Sequence, residues 1–356
     1  MIVESLLADI DRGREGFVQG LSMGMPKLES VVDGNIQSNY TVIASHSSTG
    51  KTSFALYSYV YKPIMDTLDN DNFKVVYYSL EISAELLMAK LLSLYIFDKY
   101  QIEISAKELL SRKKGCILSD EYYNIVKECI PWLKKVESKL IIFDKGLNAE
   151  ILYTTLLNTL KQFGTFSESN NRKIYTPNNP KQIINVVIDH ISLVQPANGR
   201  TLKQEIDTIS TYLVTIRNRC KISPVVLMQA NRNSTSMDRR RENLSNLRVE
   251  DLKDSGNPLA DSDVAITLFS PHRDQLATYH GYDIRQLGDN FRTIGILKNR
   301  YGESSLEIAS AFYGRCGIFA EIPKPDEIYD YSKYQSTDWL INSDYENETN
   351  GLNFKF

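Results

Sequence analysis

"ASHSSTGKTSF", residues 44–54, closes an apolar run and opens a helical pattern, and the fold turns on how it is read. The run before it, "YTVIAS" (40–45), has the composition of a strand, and the helical pattern begins at Lys51. Strand, short polar turn and helix in that order are the context a phosphate-binding loop requires. Backbone N–H groups around Thr49–Thr52, flanked by Ser48 and Ser53, would surround phosphate oxygens, because the helix N-terminus offers orphan donors and a favourable dipole. Lys51 would supply a point charge to the β and γ phosphates, and Thr52 a hydroxyl for Mg2+. Gly50 is the critical glycine, since a side chain there would obstruct the backbone's approach to phosphate. Ser45 stands where the usual pattern has its first glycine, and a serine there eases the turn less well. The competing reading is a Ser/Thr-rich loop that contains GKT by chance.

Working outward, short apolar runs recur with helical patterns between them: "KVVYYSL" (74–80), "KLIIFD" (139–144), "INVVIDH" (184–190), "PVVLMQ" (224–229), "VAITLF" (264–269) and "TIGILK" (293–298). Most are rich in Val and Ile without polar alternation, as strands are when both faces of a sheet are covered. The expected fold class is α/β, a mostly parallel sheet flanked by helices. Ser83 is a plausible N-cap for a helix with Leu87, Leu91, Leu94 and Tyr95 on one face. Ile206, Ile209, Leu213 and Ile216 repeat that stripe, and both stripes read as core. Three stretches differ. Residues 164–181 are polar and Asn-rich and read as an inserted surface loop. Residues 231–246 are basic without apolar period, and 322–356 read as an acidic, aromatic, partly ordered tail.

Composition narrows the function. The chain has 356 residues, 42% hydrophobic, enough for one large domain with a sizeable core. A net charge of -3 gives no global positive field, so any nucleic-acid site must be local. Four scattered cysteines without CxxC spacing disfavour zinc or a disulfide framework and suit a reduced cytoplasm. The first residues carry acids among apolar positions, so no signal peptide is expected. No stretch is apolar enough to span a bilayer.

A phosphate loop needs an acid for its metal, and Asp189 ends an apolar strand where it would bind magnesium directly or through water. Taken alone, an acid marking a strand end is equally apt. Glu81 follows the second strand, on the side of the sheet where carboxyl ends of neighbouring strands face one crevice. It is the candidate to orient or deprotonate the attacking water, with a helix-start glutamate serving the dipole as its rival. Gln229 ends a further strand and could read the γ phosphate, or simply be a polar terminus.

The ordered set "SHSSTGKTSF", "YYSLEISAELL", "VVIDHISLV", "EIDTISTYLVTIRNRCKISPVVLMQANR", "DLKDSGNPLADSDVAITLF" and "ILKNRYGESSLEIASAFYG" resembles the motor domain of DnaB-type hexameric replicative helicases over roughly residues 18–321. That resemblance implies a RecA-like ATPase using ATP and magnesium, a hexameric ring and translocation on single-stranded DNA. It gives Lys51 and Thr52 phosphate and metal roles, Glu81 water activation, Asp189 the second metal contact and Gln229 a sensor role. Lys298 and Arg300 match a finger motif that reaches, in trans, the γ phosphate of the neighbouring subunit; alone, "KNR" would be a solvated strand end. Lys253, Asp254 and Gly256 match a channel loop that holds DNA, although the family usually has arginine and glutamate at the first two positions. Arg232, Arg239, Arg240 and Arg241 match the other channel loop in location only. Residues 1–17 look like the linker helix that docks on a neighbouring subunit, with no counterpart of the primase-binding N-terminal domain before residue 18, as in some phage helicases. The tail resembles polymerase-holding tails by composition; primase and loader are further implied partners, and the cytoplasm the implied location. Two other readings stand: a recombination- or clock-type ATPase that does not unwind, and a nucleotide-dependent ring scaffold that recruits replication partners.

Overall fold

The computed structural model describes residues 2–14, 16, 19–169, 172–197, 199–230, 247–248, 251–252 and 257–342. The first strand, β1 (Thr41–Ser45), lies between β7 (Ser223–Gln229) and β8 (Val264–Phe269), parallel to both. Beyond β7 the parallel order continues through β6 (Ile183–Asp189) and β2 (Phe73–Ser79) to β3 (Leu140–Phe143). Beyond β8 the sheet turns antiparallel with β11 (Phe291–Asn299), β12 (Leu306–Tyr313) and β13 (Ile318–Glu321). "TIGILK" is therefore a strand, but one running against the core six. Two small hairpins complete the strands: β4 (Gly164–Ser169) with β5 (Arg172–Pro177), and β9 (Thr278–Tyr279) with β10 (Tyr282–Asp283).

Both faces of the sheet are covered, which explains the unbroken apolar runs. Ile43, Val75, Tyr77, Val187 and Leu227 point to one face, where Leu87, Leu91 and Leu94 of the helix Ala84–Tyr100 pack. Val42, Val76, Val186, Ile188 and Val226 point to the other, against Ile206, Ile209, Leu213 and Ile216 of the helix Leu202–Cys220. Each such side chain contributes roughly 1.5–3 kcal/mol by burial. The Ser83 hydroxyl caps the first of these helices by accepting from Leu86 N. No described helix is long and apolar enough to cross a membrane, and all four cysteines are free.

Two expectations are corrected. Residues 164–181 are not an irregular loop, because β4 and β5 pair across them and Phe166 packs on Tyr175, with ring centroids 4.9 Å apart. Tyr175 also donates to the Leu160 carbonyl at 3.2 Å, so the aromatic positions anchor what Asn and Ser content had suggested was open. The tail is folded as far as residue 342: Ile322, Ile328, Tyr334 and Trp339 are buried. Tyr313 OH donates to the Tyr334 carbonyl at 3.0 Å, and Trp339 Nε1 donates to Tyr313 OH at 2.5 Å. Its aromatic residues, not its acids, decide its fate. Residues 343–356 lie outside the described residues.

Trp339→Ala should lower unfolding free energy by about 3 kcal/mol, the usual cost of truncating a buried tryptophan. Urea denaturation reads this directly. A loss below about 1 kcal/mol would show that the strap adds little to the fold.

Candidate nucleotide site

At the carboxyl end of β1 the chain turns through His46–Gly50 and enters the helix Lys51–Leu56. Gly50 has φ 111°, and a Cβ there would stand 3.0 Å from the Phe312 ring, so both dihedral and space require glycine. The Thr49 hydroxyl donates to the His46 carbonyl at 3.0 Å and closes the loop on itself. The first N–H groups of the helix have no intrahelical acceptor and are free for an anion. Lys51 is buried at the base of this loop and forms no ion pair among the described residues. Ser48, with φ 61°, shapes the turn before it, and Ser53 follows on the helix beside a cavity.

Asp189, wholly buried at the end of β6, accepts from Thr52 Oγ1 at 3.2 Å and from Tyr77 OH at 2.9 Å. Burial pushes its pKa up, against the lowering effect of those two hydroxyls. No cluster of three or more His, Cys, Asp or Glu side chains able to hold a metal occurs among the described residues. A hydroxyl beside one carboxylate is a hard oxygen pair of the kind magnesium takes when phosphates and water complete its shell.

The ends of β2 and β6 are in register at Ser79 and Asp189. Leu80 N donates to the Asp189 carbonyl at 2.8 Å, and Ser79 Oγ to the Ile82 carbonyl at 2.5 Å. These bonds hold the turn carrying Glu81, which is exposed at the same edge. Gln229 pairs in register with Ser45, half-buried, and lines a cavity of about 240 Å³ with His46, Ser47 and Thr49. A second cavity, about 180 Å³, lies along the helix after the loop, between Ser53, Leu86, Lys90 and the 314–317 turn. Thus Lys51, Thr52, Glu81, Asp189 and Gln229 come together from four strand ends.

Lys298 and Arg300 do not join them. Asn299 pairs with Val264 at the amino end of β8, whereas Ser45 pairs with Leu268 near its carboxyl end. Lys298 Nζ donates to the carbonyls of Leu259, Ala260 and Ser262 at 3.0, 2.8 and 2.6 Å. Arg300 Nε lies 3.2 Å from the buried Asp263 carboxylate. Arg232, Arg239, Arg240, Arg241, Lys253, Asp254 and Gly256, expected at DNA, lie outside the described residues.

Sequence reasoning missed Tyr77, Lys90, His190 and Arg292. Lys90 faces the second cavity, its pKa lowered by burial although Asp189 and Glu81 oppose this. His190 is buried beside Asp189, its pKa lowered by burial and then by Lys51. Lys90 alone carried a signal, a cation within an otherwise apolar helix.

The model of the DnaB-like helicase C-terminal domain family matches residues 20–321. The chain belongs to that family. It is 26% identical over 253 residues to the replicative DNA helicase DnaB of Helicobacter pylori strain 26695, covering 71% of this chain and 44% of the relative. To DnaB of Buchnera aphidicola subsp. Baizongia pistaciae it is 27% identical over 266 residues, 74% of this chain and 48% of the relative. The chain thus spans about half the length of these curated relatives. Among solved structures, an ATPase domain determined on its own superposes with TM-score 0.67 at 20% identity, covering 91% of this chain and 99% of that one. A DnaB-like replicative helicase, described with its interactions with primase, gives 0.65 at 20% identity over 90% and 66%. At such identity these likenesses speak for the fold, which is that of RecA-like ATPase domains.

The wall of the second cavity offers a pH test. Glu108 is desolvated, which raises its pKa, but donors from Ser105, Lys113 and Arg315 more than offset this and hold it at about 2, against an ordinary 4.5. A depressed carboxylate stabilises the fold above its unfolded pKa and loses that contribution as pH falls through the folded one. Glu108→Gln should therefore flatten the decline in thermal stability between pH 4.5 and about 2. Parallel melting curves in that window would contradict the assignment.

Proposed function

We propose that this chain is the motor of a ring-shaped replicative DNA helicase, a homo-oligomer of six, that hydrolyses ATP while moving along single-stranded DNA. The observation that carries this reading is the separation of two functional groups to opposite edges of one sheet. Arg300 N bonds the Asp263 carbonyl, and the phosphate-loop edge lies five residues further along β8, about 17 Å at strand spacing. Lys298 and Arg300 therefore serve a triphosphate on an adjacent copy, and a ring brings the two edges face to face. A planar guanidinium suits charge spread over a transferring phosphoryl group.

Within one protomer, phosphates lie against the N–H groups of Thr49–Thr52 with Lys51 as counter-charge. Base and ribose take the cavity beside Ser53 and Lys90. Magnesium, held by Thr52 Oγ1 and by Asp189 directly or through water, supplies charge neutralisation when bound. Glu81 removes the proton from the attacking water, and Gln229 reads the γ phosphate. The exposed Val3, Leu6, Leu7 and Ile10 of the helix Ile2–Arg14 give residues 1–17 an apolar stripe for docking on the next subunit. Residues 18–321 form the motor domain. The loops 231–246 and 253–256 contact DNA phosphates, and the end of the 322–356 tail recruits a polymerase, with primase or a loader as further partners.

A RecA-fold ATPase that does not unwind is the second reading, favoured by superposition on the KaiC-like protein PH0186 of Pyrococcus horikoshii OT3, TM-score 0.50 at 14% identity. Strand displacement from a forked duplex separates the two.

Glu81→Gln should cut DNA-stimulated ATP turnover at least about a hundredfold with nucleotide still bound. Arg300→Ala should cut it about a thousandfold. Rings mixed from the two variants should regain turnover, because Glu81 of one then meets Arg300 of the other. No recovery on mixing would place both groups in one protomer's site and end the trans assignment.

A further inference from the structure

We infer that Arg292, near the start of β11, is a positioning residue that fixes the phosphate loop in its anion-binding conformation. This rests on the nucleotide reading of that loop. Arg292 is almost wholly buried, yet it enters from a strand that does not adjoin β1. Its NH1 donates to Ser270 Oγ at 3.0 Å, to the Asp289 carbonyl at 2.5 Å and to the Phe291 carbonyl at 2.8 Å. Those three bonds alone would hold the 288–291 turn. The Nε group goes elsewhere: it donates to the Thr49 carbonyl at 2.9 Å.

That carbonyl shares a rigid peptide plane with the Gly50 N–H, and in a trans peptide the two point in opposite directions. Holding the Thr49 oxygen from behind the loop therefore aims the Gly50 N–H forward, toward the phosphate side. A hydrogen bond on the oxygen also polarises the unit and strengthens the N–H as a donor. The guanidinium lies over the Phe312 ring, 5.4 Å from its centroid, and that ring is the one that closes against Gly50. Arg292 and Phe312 come from neighbouring strands, β11 and β12, in a hairpin where Arg292 pairs with Ser310. One hairpin thus clamps both residues that precede Lys51. Burial has lowered the Arg292 pKa to about 10, which leaves it a cation at neutral pH.

The test is binding of a fluorescent ADP analogue to the full chain, with folding checked by circular dichroism. Arg292→Met should weaken the Kd about tenfold, the value of one charge-assisted hydrogen bond, and raise the ATP KM with kcat little changed. Ser270→Ala removes a different partner of the same guanidinium and should leave the Kd within about twofold. If Arg292→Met binds as tightly as the parent, or Ser270→Ala weakens binding equally, the residue is only structural and the inference falls. Should Arg292→Met not fold, Phe312→Leu takes its place: a weaker Kd supports the clamp and an unchanged one overturns it. Failure of the parent chain to bind the analogue would sink the nucleotide reading and this inference with it.

Discussion

A carboxylate taken out of water needs a partner for each oxygen, and Asp189 meets that requirement with Thr52 on one side and Tyr77 on the other. The three side chains belong to a helix and two strands. Only when the helix after the phosphate loop is seated on the sheet, and β2 lies in register with β6, can the acid be buried without penalty. The same register brings the Glu81 turn to the Asp189 backbone. One desolvated charge thereby couples the placement of the loop, the metal-binding acid and the water-facing glutamate.

The opposite edge is organised by another buried acid. Asp263 accepts from the Tyr40 amide at 2.9 Å and from Arg217 at 2.5 Å, and it meets Arg300 at 3.2 Å. Tyr40 precedes β1 and Asp263 precedes β8, so this carboxylate fixes where two central strands begin. The chemistry-bearing groups are thus arranged by two aspartates, one at each end of the parallel strands. Between them the sheet is apolar and serves as the spacer that keeps the two edges apart.

The features legible in the sequence were those written locally. The strand, turn and helix around Gly50 are contiguous, and the unbroken Val and Ile runs declare a sheet covered on both faces. Asp189, Glu81 and Gln229 could be named because each follows such a run. The hairpin at β4 and β5 and the strap after Ile322 were hidden behind polar composition, since a few aromatic side chains fix them. Strands β12 and β13 lie at a margin of the sheet, where the apolar signal is diluted by exposed positions. Arg292 was out of reach for a different reason: its bond to Thr49 joins residues 243 apart in the chain, and no local pattern encodes it.

The ion pair between Arg300 and Asp263 has an electrostatic corollary. In the isolated protomer this guanidinium is already neutralised, so an incoming anion must compete for it with a resident one. Asp263 would not be stranded by the exchange, because Arg217 and the Tyr40 amide remain on its other oxygen. Handing the cation over is then close to balanced in energy, and such a balance favours quick, reversible making and breaking of contacts between copies over a permanent latch.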